Sequence, residues 1–251
     1  MKDVTVLLRT NSSGDNELLT ESDLAHVPET VKKYIRQSGA MNKPRVLNFS
    51  VLLEGTLRQD EQSPWMKFQS KQYNGIRNPS RLFFLDAVMK RLPVAGYHRF
   101  VDGLASMEIR LLSMIRVQHA DGPLMNIAET VTAFNDMCVM APATLIDKRI
   151  AWFNISDLSV TATFVNGDVS ISADLHFNRD GELIEFMSHD RYALQKDGSM
   201  QRYPWLTPLK AYQNFAGMRL SSYAEAIVKY PSGDFCYGKF KIVDVRYNVD
   251  E

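Results

Sequence analysis

The sequence predicts a mainly β (α+β) protein, with about eleven or twelve strands in a largely antiparallel sheet and two helical zones. Three observations predict this class. Apolar and polar residues alternate with a period of two over much of the chain, the connections have hairpin length, and apolar residues recur at helical spacing in only two zones. The 251 residues would suit one large β domain or two ordinary domains.

The N-terminal 24 residues mix turn formers with a few apolar side chains, which predicts a loosely attached arm over 1–24. The first helical zone follows, with Pro28 suited to a first helical turn. Its apolar residues recur at i, i+3 and i+4, and Gly39 can adopt the left-handed conformation that ends a helix. A helix is therefore expected over 28–38, at the start of a single domain over 25–251.

Alternation predicts strands through most of the remaining chain, and Asp102-Gly103 is typical of a tight hairpin turn. The predicted strands lie near residues 47–57, 64–74, 81–88, 95–102, 105–118, 158–164, 169–177, 184–186, 211–216, 219–230 and 237–249.

The second helical zone spans residues 123–147 and interrupts the strands. Its apolar positions Leu124, Ile127, Val131 and Phe134 are three or four residues apart, and Pro142 breaks or kinks the helix. This zone is expected to lie across the sheet. Because it separates two runs of strands, two subdomains are the alternative to one continuous curved sheet.

Charge and targeting signals limit the partners and the compartment. The 29 basic and 29 acidic residues cancel, so no electrostatic excess is available to hold a phosphate backbone, and nucleic acid is not an expected partner. The apolar run near the N-terminus is too short for a signal peptide or a transmembrane segment. We therefore expect a soluble chain that is cytoplasmic unless an N-terminal anchor or signal has been removed.

Motifs for cofactors and metals are missing. Cys138 and Cys236 are the only cysteines, which excludes a disulfide framework and favours two unrelated thiols, with a single bridge as the alternative. The five histidines form no zinc-binding pair, and the sequence has no glycine-rich nucleotide loop and no nucleophile elbow. No cofactor and no metal are expected.

Charged residues in aromatic, strand-like surroundings are the polar candidates: Asp102, Asp190, Arg191 and Glu225. A buried carboxylate needs a partner, and the Arg191 guanidinium can hold two oxygens at once. The functional interpretation is a polar anchor in a ligand cavity. The alternative is an ion pair that fixes sheet register or lies on an exposed rim.

Aromatic and methionine side chains are the apolar candidates, with Trp65, Phe68 and Tyr73 in one segment and Met107 and Trp205 elsewhere. Polarisable methionine beside aromatic rings suits a surface that adapts to irregular apolar ligands. Ordinary core packing would explain the same residues.

Several segments, read in order over about residues 22–249, resemble a bacterial family known as a domain of unknown function, whose fold is similar to the half-barrel of the lipoprotein carriers LolA and LolB. The segments are Val27-Pro28-Glu29-Thr30-Val31, Pro64-Trp65-Met66-Lys67-Phe68, Phe100-Val101-Asp102-Gly103, Ala141-Pro142-Ala143-Thr144-Leu145-Ile146, Asp190-Arg191-Tyr192, Pro204-Trp205 and Pro231-Ser232-Gly233-Asp234-Phe235. The resemblance implies a LolA/LolB-like curved antiparallel half-barrel around a helical plug, with an apolar concave face.

The leading hypothesis is a binding protein whose concave face takes a lipid or another apolar small molecule, with a polar head group oriented by Asp190, Arg191 and Glu225. One alternative is an enzyme in which Asp190 or Glu225 is a general base and Arg191 stabilises negative charge. Another is a structural or interaction domain whose cavity is filled by the helix at 124–140. Oligomeric state and ligand identity are left open.

Overall fold

The computed structural model describes residues 2–12, 17–89, 91–112, 114–195 and 197–250. Its helices are α1 (Lys2–Thr10), α2 (Glu29–Gln37) and α3 (Pro123–Met140), with 3-10 helices at Glu21–Leu24 and Pro142–Ile146. Its strands are β1 (Asn48–Leu57), β2 (Met66–Gly75), β3 (Ser80–Met89), β4 (Leu92–Val101), β5 (Leu104–Leu111), β6 (Ile115–Asp121), β7 (Ile150–Ser156), β8 (Ser159–Asn166), β9 (Val169–Phe177), β10 (Leu183–Ser188), β11 (Tyr192–Leu194), β12 (Met200–Arg202), β13 (Trp205–Phe215), β14 (Met218–Tyr230) and β15 (Gly233–Tyr247).

Thirteen of these strands form one antiparallel sheet in the order β6-β5-β4-β3-β2-β1-β15-β14-β13-β10-β9-β8-β7. The remaining two, β11 and β12, form a separate hairpin inserted between β10 and β13. The sheet is open, with β6 and β7 as its edges, and it curves around α3. The predicted fold class, a mainly β half-barrel around a helical plug, is confirmed.

Helix α3 connects the two edge strands and crosses the concave face. Fourteen of its 18 residues are buried, so the helix is surrounded rather than amphipathic. The Phe134 ring stacks on Phe164 at 5.1 Å between centroids and meets Phe186 edge-on at 5.9 Å. The helix ends at Met140, two residues before Pro142, which has no N–H to continue the hydrogen-bond ladder. The predicted break at Pro142 is confirmed.

Helix α2 confirms the first predicted helix. Val31, Tyr34 and Ile35 are buried in the main core, and Gly39 has a φ of 77°, the left-handed conformation expected at the helix end. The Tyr34 hydroxyl donates a hydrogen bond of 2.9 Å to the Cys138 carbonyl of α3. Helix α2 is thus joined to the plug.

The segment predicted as an arm has its own packing. Helix α1 lies on the convex face, where Leu7 and Leu8 pack with Leu82 and Val101. Further along, two leucines at positions 19 and 24 are buried in the main core. The division into an arm over 1–24 and a domain over 25–251 stays a prediction.

The strand count is higher than the sequence indicated. The single strand predicted over 105–118 is two strands, β5 and β6, because the chain turns after Leu111 at a place without Gly, Pro or Asn. Strand β13 begins at Trp205 rather than 211, although Pro208 lies within it. The predicted turn at Asp102-Gly103 is confirmed, with φ values of 55° and 73°.

Candidate functional site

The aromatic residues predicted on β2 lie on opposite faces of the sheet. Phe68 is buried on the concave face, with its ring 5.4 Å from that of Phe240. Tyr73 is five residues further along and therefore points the other way, into the cluster under α1. A concave site can include Phe68 but not Tyr73.

Trp65 and Trp205 both have polar or charged partners. Trp65 precedes β2 and is partly exposed, with the Arg58 guanidinium 4.7 Å and the Lys239 ammonium 4.8 Å from its ring centroid. Trp205 is buried, and its indole N–H donates to the Tyr237 hydroxyl at 3.0 Å. Both rings are fixed in place by these contacts.

Met107 and Asp102 have separate surroundings. Met107 packs against a small cluster around Phe100 and Met125. Asp102 is exposed in the β4–β5 turn and accepts a hydrogen bond of 2.7 Å from the Asn78 side-chain amide. That carboxylate joins the β4–β5 turn to the loop between β2 and β3 at the surface.

Asp190 lies just after the end of β10, and its side chain accepts a hydrogen bond from the backbone of β9. One carboxylate oxygen accepts from the Ser172 N–H at 2.7 Å, and the Ser188 hydroxyl donates to the Ser172 carbonyl at 2.6 Å. The other oxygen accepts from Arg202 at 2.6 Å. These contacts border a polar pocket of about 240 Å³ that also has His189 in its wall. The pocket is smaller than the roughly 300 Å³ at which ligand sites begin.

The three residues predicted as one polar anchor are held by three different partners. Glu225 accepts from the Tyr223 hydroxyl at 2.8 Å and lies 3.8 Å from the Lys210 ammonium. Arg191 lies 4.0 Å from Glu129, and Asp190 pairs with Arg202. The structure therefore does not bring Asp190, Arg191 and Glu225 together as one ion-paired site.

A buried cluster of charged residues, not singled out in the sequence, lies between α3 and the strands β2 to β4. The Arg81 guanidinium contacts Asp136 at 2.8 Å and Glu129 at 3.2 Å, and all three side chains are almost completely buried. Gln72 and Asn74 donate to the same Asp136 oxygen at 2.7 and 3.3 Å. We call Gln72, Asn74, Arg81, Glu129 and Asp136 the charged cluster.

The ionisation of the charged cluster follows from this geometry. Burial opposes the charged form of Glu129, but the charges of Arg81, His98 and Arg191 outweigh burial and lower its pKa to about 2. Burial and the charge of Glu129 raise the pKa of Asp136, although Arg81 opposes the shift. Glu129 is thus an anion at neutral pH.

The side chains of His98 and Arg191 border Glu129 and each has a nitrogen with unused hydrogen-bonding capacity. His98 Nδ1 lies 3.7 Å from a Glu129 oxygen, which is too long for a hydrogen bond. His98 Nδ1 and Arg191 Nε are buried and have no hydrogen-bond partner among the described residues. The Arg191 guanidinium also lies 5.6 Å from the centre of the Trp205 ring. These groups can hold an additional acceptor beside the plug.

One sequence signal could have identified the charged cluster. Glu129 and Asp136 are the only ionisable carboxylates in α3, and their spacing of seven residues places them on one face of a largely buried helix that has no basic residue. Two carboxylates on a buried helix require a cation, and Arg81 stands in the apolar strand β3.

The concave face leads from the core to an exposed apolar edge. Ala87 and Val94 are cross-strand neighbours and are buried in the main core. One step further along the hairpin, Met89 and Leu92 face each other and are exposed. Ile115 of β6 lies opposite Leu111 of β5, is exposed, and extends the same face. We call Ala87, Met89, Leu92, Val94 and Ile115 the apolar mouth.

The interior behind the apolar mouth is filled by α3. A second groove of about 510 Å³ lies between α2 and Asp157, and the residues that line it are polar or charged types. Among the described residues, neither this groove nor the pocket beside Asp190 is an apolar cavity on the concave face.

Comparison of the sequence with protein families identifies the family of the chain. The profile described as a family of unknown function (DUF6544) matches residues 17–240. The chain belongs to this family. A search of curated proteins finds no match to the DUF6544 chain.

The DUF6544 chain is similar to several solved structures. A LolA superfamily protein from Nitrosomonas europaea has 9% sequence identity and a TM-score of 0.49, with 89% of this chain and 96% of that chain covered. A putative outer membrane lipoprotein-sorting protein domain from Vibrio parahaemolyticus has 9% identity and a TM-score of 0.45, over 81% and 86% of the two chains. A DUF1329 family protein from Desulfovibrio piger has 8% identity and a TM-score of 0.44, over 90% and 95%.

Neither membrane-spanning helices nor metal clusters occur in the described part of the DUF6544 chain. Its helices lack the length and apolar character that a bilayer span requires. Its His, Cys, Asp and Glu side chains do not meet in groups of three or more. Both cysteines are free thiols, and burial raises the pKa of Cys138 well above its ordinary value.

Proposed function

We propose that the protein binds a lipid or another apolar small molecule at the apolar mouth of the half-barrel. One observation carries the proposal: the apolar concave surface continues from buried Ala87 and Val94 to exposed Met89, Leu92 and Ile115. An apolar ligand laid along this surface would extend the core. Phe68 and Trp205 lie deeper on the same face, and their lining role stays a prediction.

The energetics favour an apolar ligand over a polar one. Removing a large aliphatic side chain from water contributes about 1.5–3 kcal/mol, and the mouth offers three such side chains before ordering costs are subtracted. Because α3 fills the interior, a ligand longer than the mouth must enter beside the helix, where Arg191 and His98 border Glu129. The Arg191 guanidinium, with its unpaired Nε, is suited to an acidic head group.

Titration with a fluorescent fatty-acid probe tests the proposal. Met89 and Val88 are adjacent and both exposed, at 46% and 60%, but they point to opposite faces of β3. Met89→Glu places a charge on the concave face and should weaken probe binding at least tenfold. Val88→Glu places the same charge on the convex face and should bind the probe like the wild type.

The two variants Met89→Glu and Val88→Glu also define the results that would contradict the proposed function. Both positions are exposed, so thermal unfolding should show that each variant keeps the fold. A wild type that ignores the probe, or two variants that bind it equally well, would contradict ligand binding at the apolar mouth.

A structural or interaction domain is the second candidate function, and one observation favours it: α3 occupies the concavity with fourteen of its 18 residues buried. This candidate predicts a chain that binds no probe. The catalytic alternative lacks comparable support, because Asp190, Arg191 and Glu225 are each held by a different partner.

A further inference from the structure

Two neighbouring hairpins expose large apolar side chains at their tips. The β3–β4 hairpin exposes Val88, Met89 and Leu92 at its tip. The β5–β6 hairpin exposes Met114 at 76% and Ile115 at 57%, followed by Val117. Since β4 pairs with β5, the two tips are adjacent at one end of the sheet. We call residues 87–95 and 109–118 the hairpin tips.

The charges of the hairpin tips have one sign. The sequence of these two segments has four charged residues, Lys90, Arg91, Arg110 and Arg116, and all are basic. The whole chain has a net charge of zero, so the positive charge is concentrated locally. Arg91 and Arg116 are exposed, whereas Arg110 donates to Glu108. An anionic surface complements such a patch.

Each tip has a residue with a side chain at a position with positive φ, where glycine would be unstrained. Arg91 has a φ of 69° and Leu112 a φ of 54°, in the left-handed region that bulky residues rarely adopt. Turns of this kind ordinarily use Asn-Gly or Asp-Gly, as Asp102-Gly103 does in the next hairpin. Basic and apolar side chains are therefore presented at the tips against local conformational preference.

We propose that the hairpin tips dock on the surface of a bilayer that contains anionic lipids. The apolar side chains of the tips enter the interface, and Arg91 and Arg116 contact the head groups. The occupant is a lipid surface because the exposed charged residues described within the tips, Arg91, Arg110 and Arg116, are all basic, and the acidic residues Asp86 and Glu108 lie just outside the two segments. The inference goes beyond the proposed ligand site, since docking requires no ligand in the half-barrel.

Co-sedimentation with vesicles tests the docking. The full chain should bind vesicles of phosphatidylcholine mixed with phosphatidylglycerol, bind phosphatidylcholine alone more weakly, and lose affinity as salt is added. The double variant Met114→Ser and Ile115→Ser should reduce binding about tenfold. Replacing Arg91 and Arg116 by Gln should reduce binding roughly fivefold for each charge removed.

A matched control is available on the other edge of the sheet. Phe153 and Ile155 of β7 are each 58% exposed, so Phe153→Ser with Ile155→Ser removes a similar apolar area away from the tips. This control should bind vesicles like the wild type. Val88→Glu should lose vesicle binding while keeping probe binding, which distinguishes docking from the proposed function.

Three outcomes would overturn the docking proposal. They are a wild type that stays in the supernatant with anionic vesicles, a tip variant that binds as well as the β7 control, and a wild-type dimer in solution that the Met114 and Ile115 variant dissociates. The third result would assign the tips to contact with a second copy of the chain.

Discussion

Glu129 and Arg81 place full charges inside a core, where an ion without partners is strongly disfavoured. Each has more than one partner: Arg81 contacts both Glu129 and Asp136, and Glu129 is bordered by His98 as well. Such networks are costly to break because removing one member leaves the others buried and unpaired. The charged cluster joins α3 to β2 and β3 and so fixes the position of the helix on these strands.

Glu129→Gln should show this dependence. At neutral pH we expect the variant to lose about 3 kcal/mol of unfolding free energy in chemical denaturation, because Arg81 loses a buried counter-charge. Glu54→Gln is the matched control, because Glu54 pairs with Lys241 at 3.0 Å on the surface. The control should change stability by less than about 1 kcal/mol.

The difference in unfolding free energy between wild type and Glu129→Gln should depend on pH. The pKa of Glu129 is lowered from its ordinary 4.5 to about 2, so its contribution is complete above pH 4.5 and is lost as the pH falls toward 2. The shift corresponds to about 3 kcal/mol. The raised pKa of Asp136 acts in the opposite direction, because protonation then favours the folded state. The stability gap between wild type and Glu129→Gln should therefore narrow in acid; a constant gap would contradict the assignment.

Individual residues were predictable where one strand or turn decides their environment. Phe68 and Trp205 were predicted as apolar candidates for a ligand surface or the core, and both are buried, while Asp102-Gly103 was predicted as a turn. The partners of charged residues were not predictable. The Asp190 carboxylate pairs with Arg202, twelve positions later, and the Arg191 guanidinium approaches Glu129 of α3, 62 positions earlier. Such pairings depend on how the sheet curves.

At the scale of elements, α3 determines the architecture. A helix that links the two edge strands of an open sheet must cross one of its faces, and α3 packs against strands from both wings, including β5 and β9. Its burial on all sides makes it the centre of the core rather than a cover. The sheet curves because it packs around this helix.

Phe134→Ala tests that central position. The ring is fully buried and contacts Phe164 and Phe186, so its removal should cost about 3–5 kcal/mol of unfolding free energy. Leu124→Ala in the first turn of the same helix is the control, since that side chain is 39% exposed, and it should cost less than about 1 kcal/mol. Equal losses would mean that α3 is not anchored through Phe134.

Most elements were predictable because burial on one face imposes a period of two on strands and of 3.6 on helices. The failures have local causes. The turn between β5 and β6 has Leu112 in a left-handed conformation instead of a turn residue, and β13 contains Pro208, which ordinarily argues against a strand. Strand β7 and the hairpin of β11 and β12 are short or irregular and gave no clear alternation.

At the scale of the whole molecule, two features share the concave face and a third adjoins them at one end of the sheet. The charged cluster holds the plug, the apolar mouth continues the core outward, and the hairpin tips extend the mouth into solvent with basic charges beside it. A bilayer and an apolar ligand would meet the protein at the same end. This arrangement suits a molecule that takes a ligand from a membrane surface, as the two proposals together imply.

The most direct test of the central claim is native mass spectrometry of the protein purified from its own host. If the apolar mouth binds a lipid, the intact protein should carry an additional mass that organic extraction identifies as an apolar molecule. When the lipid is supplied in solution, without a membrane, Met89→Glu should take up less of it than Val88→Glu. A wild-type protein that consistently has the mass of its chain alone, and takes up no lipid when one is supplied, would contradict the claim.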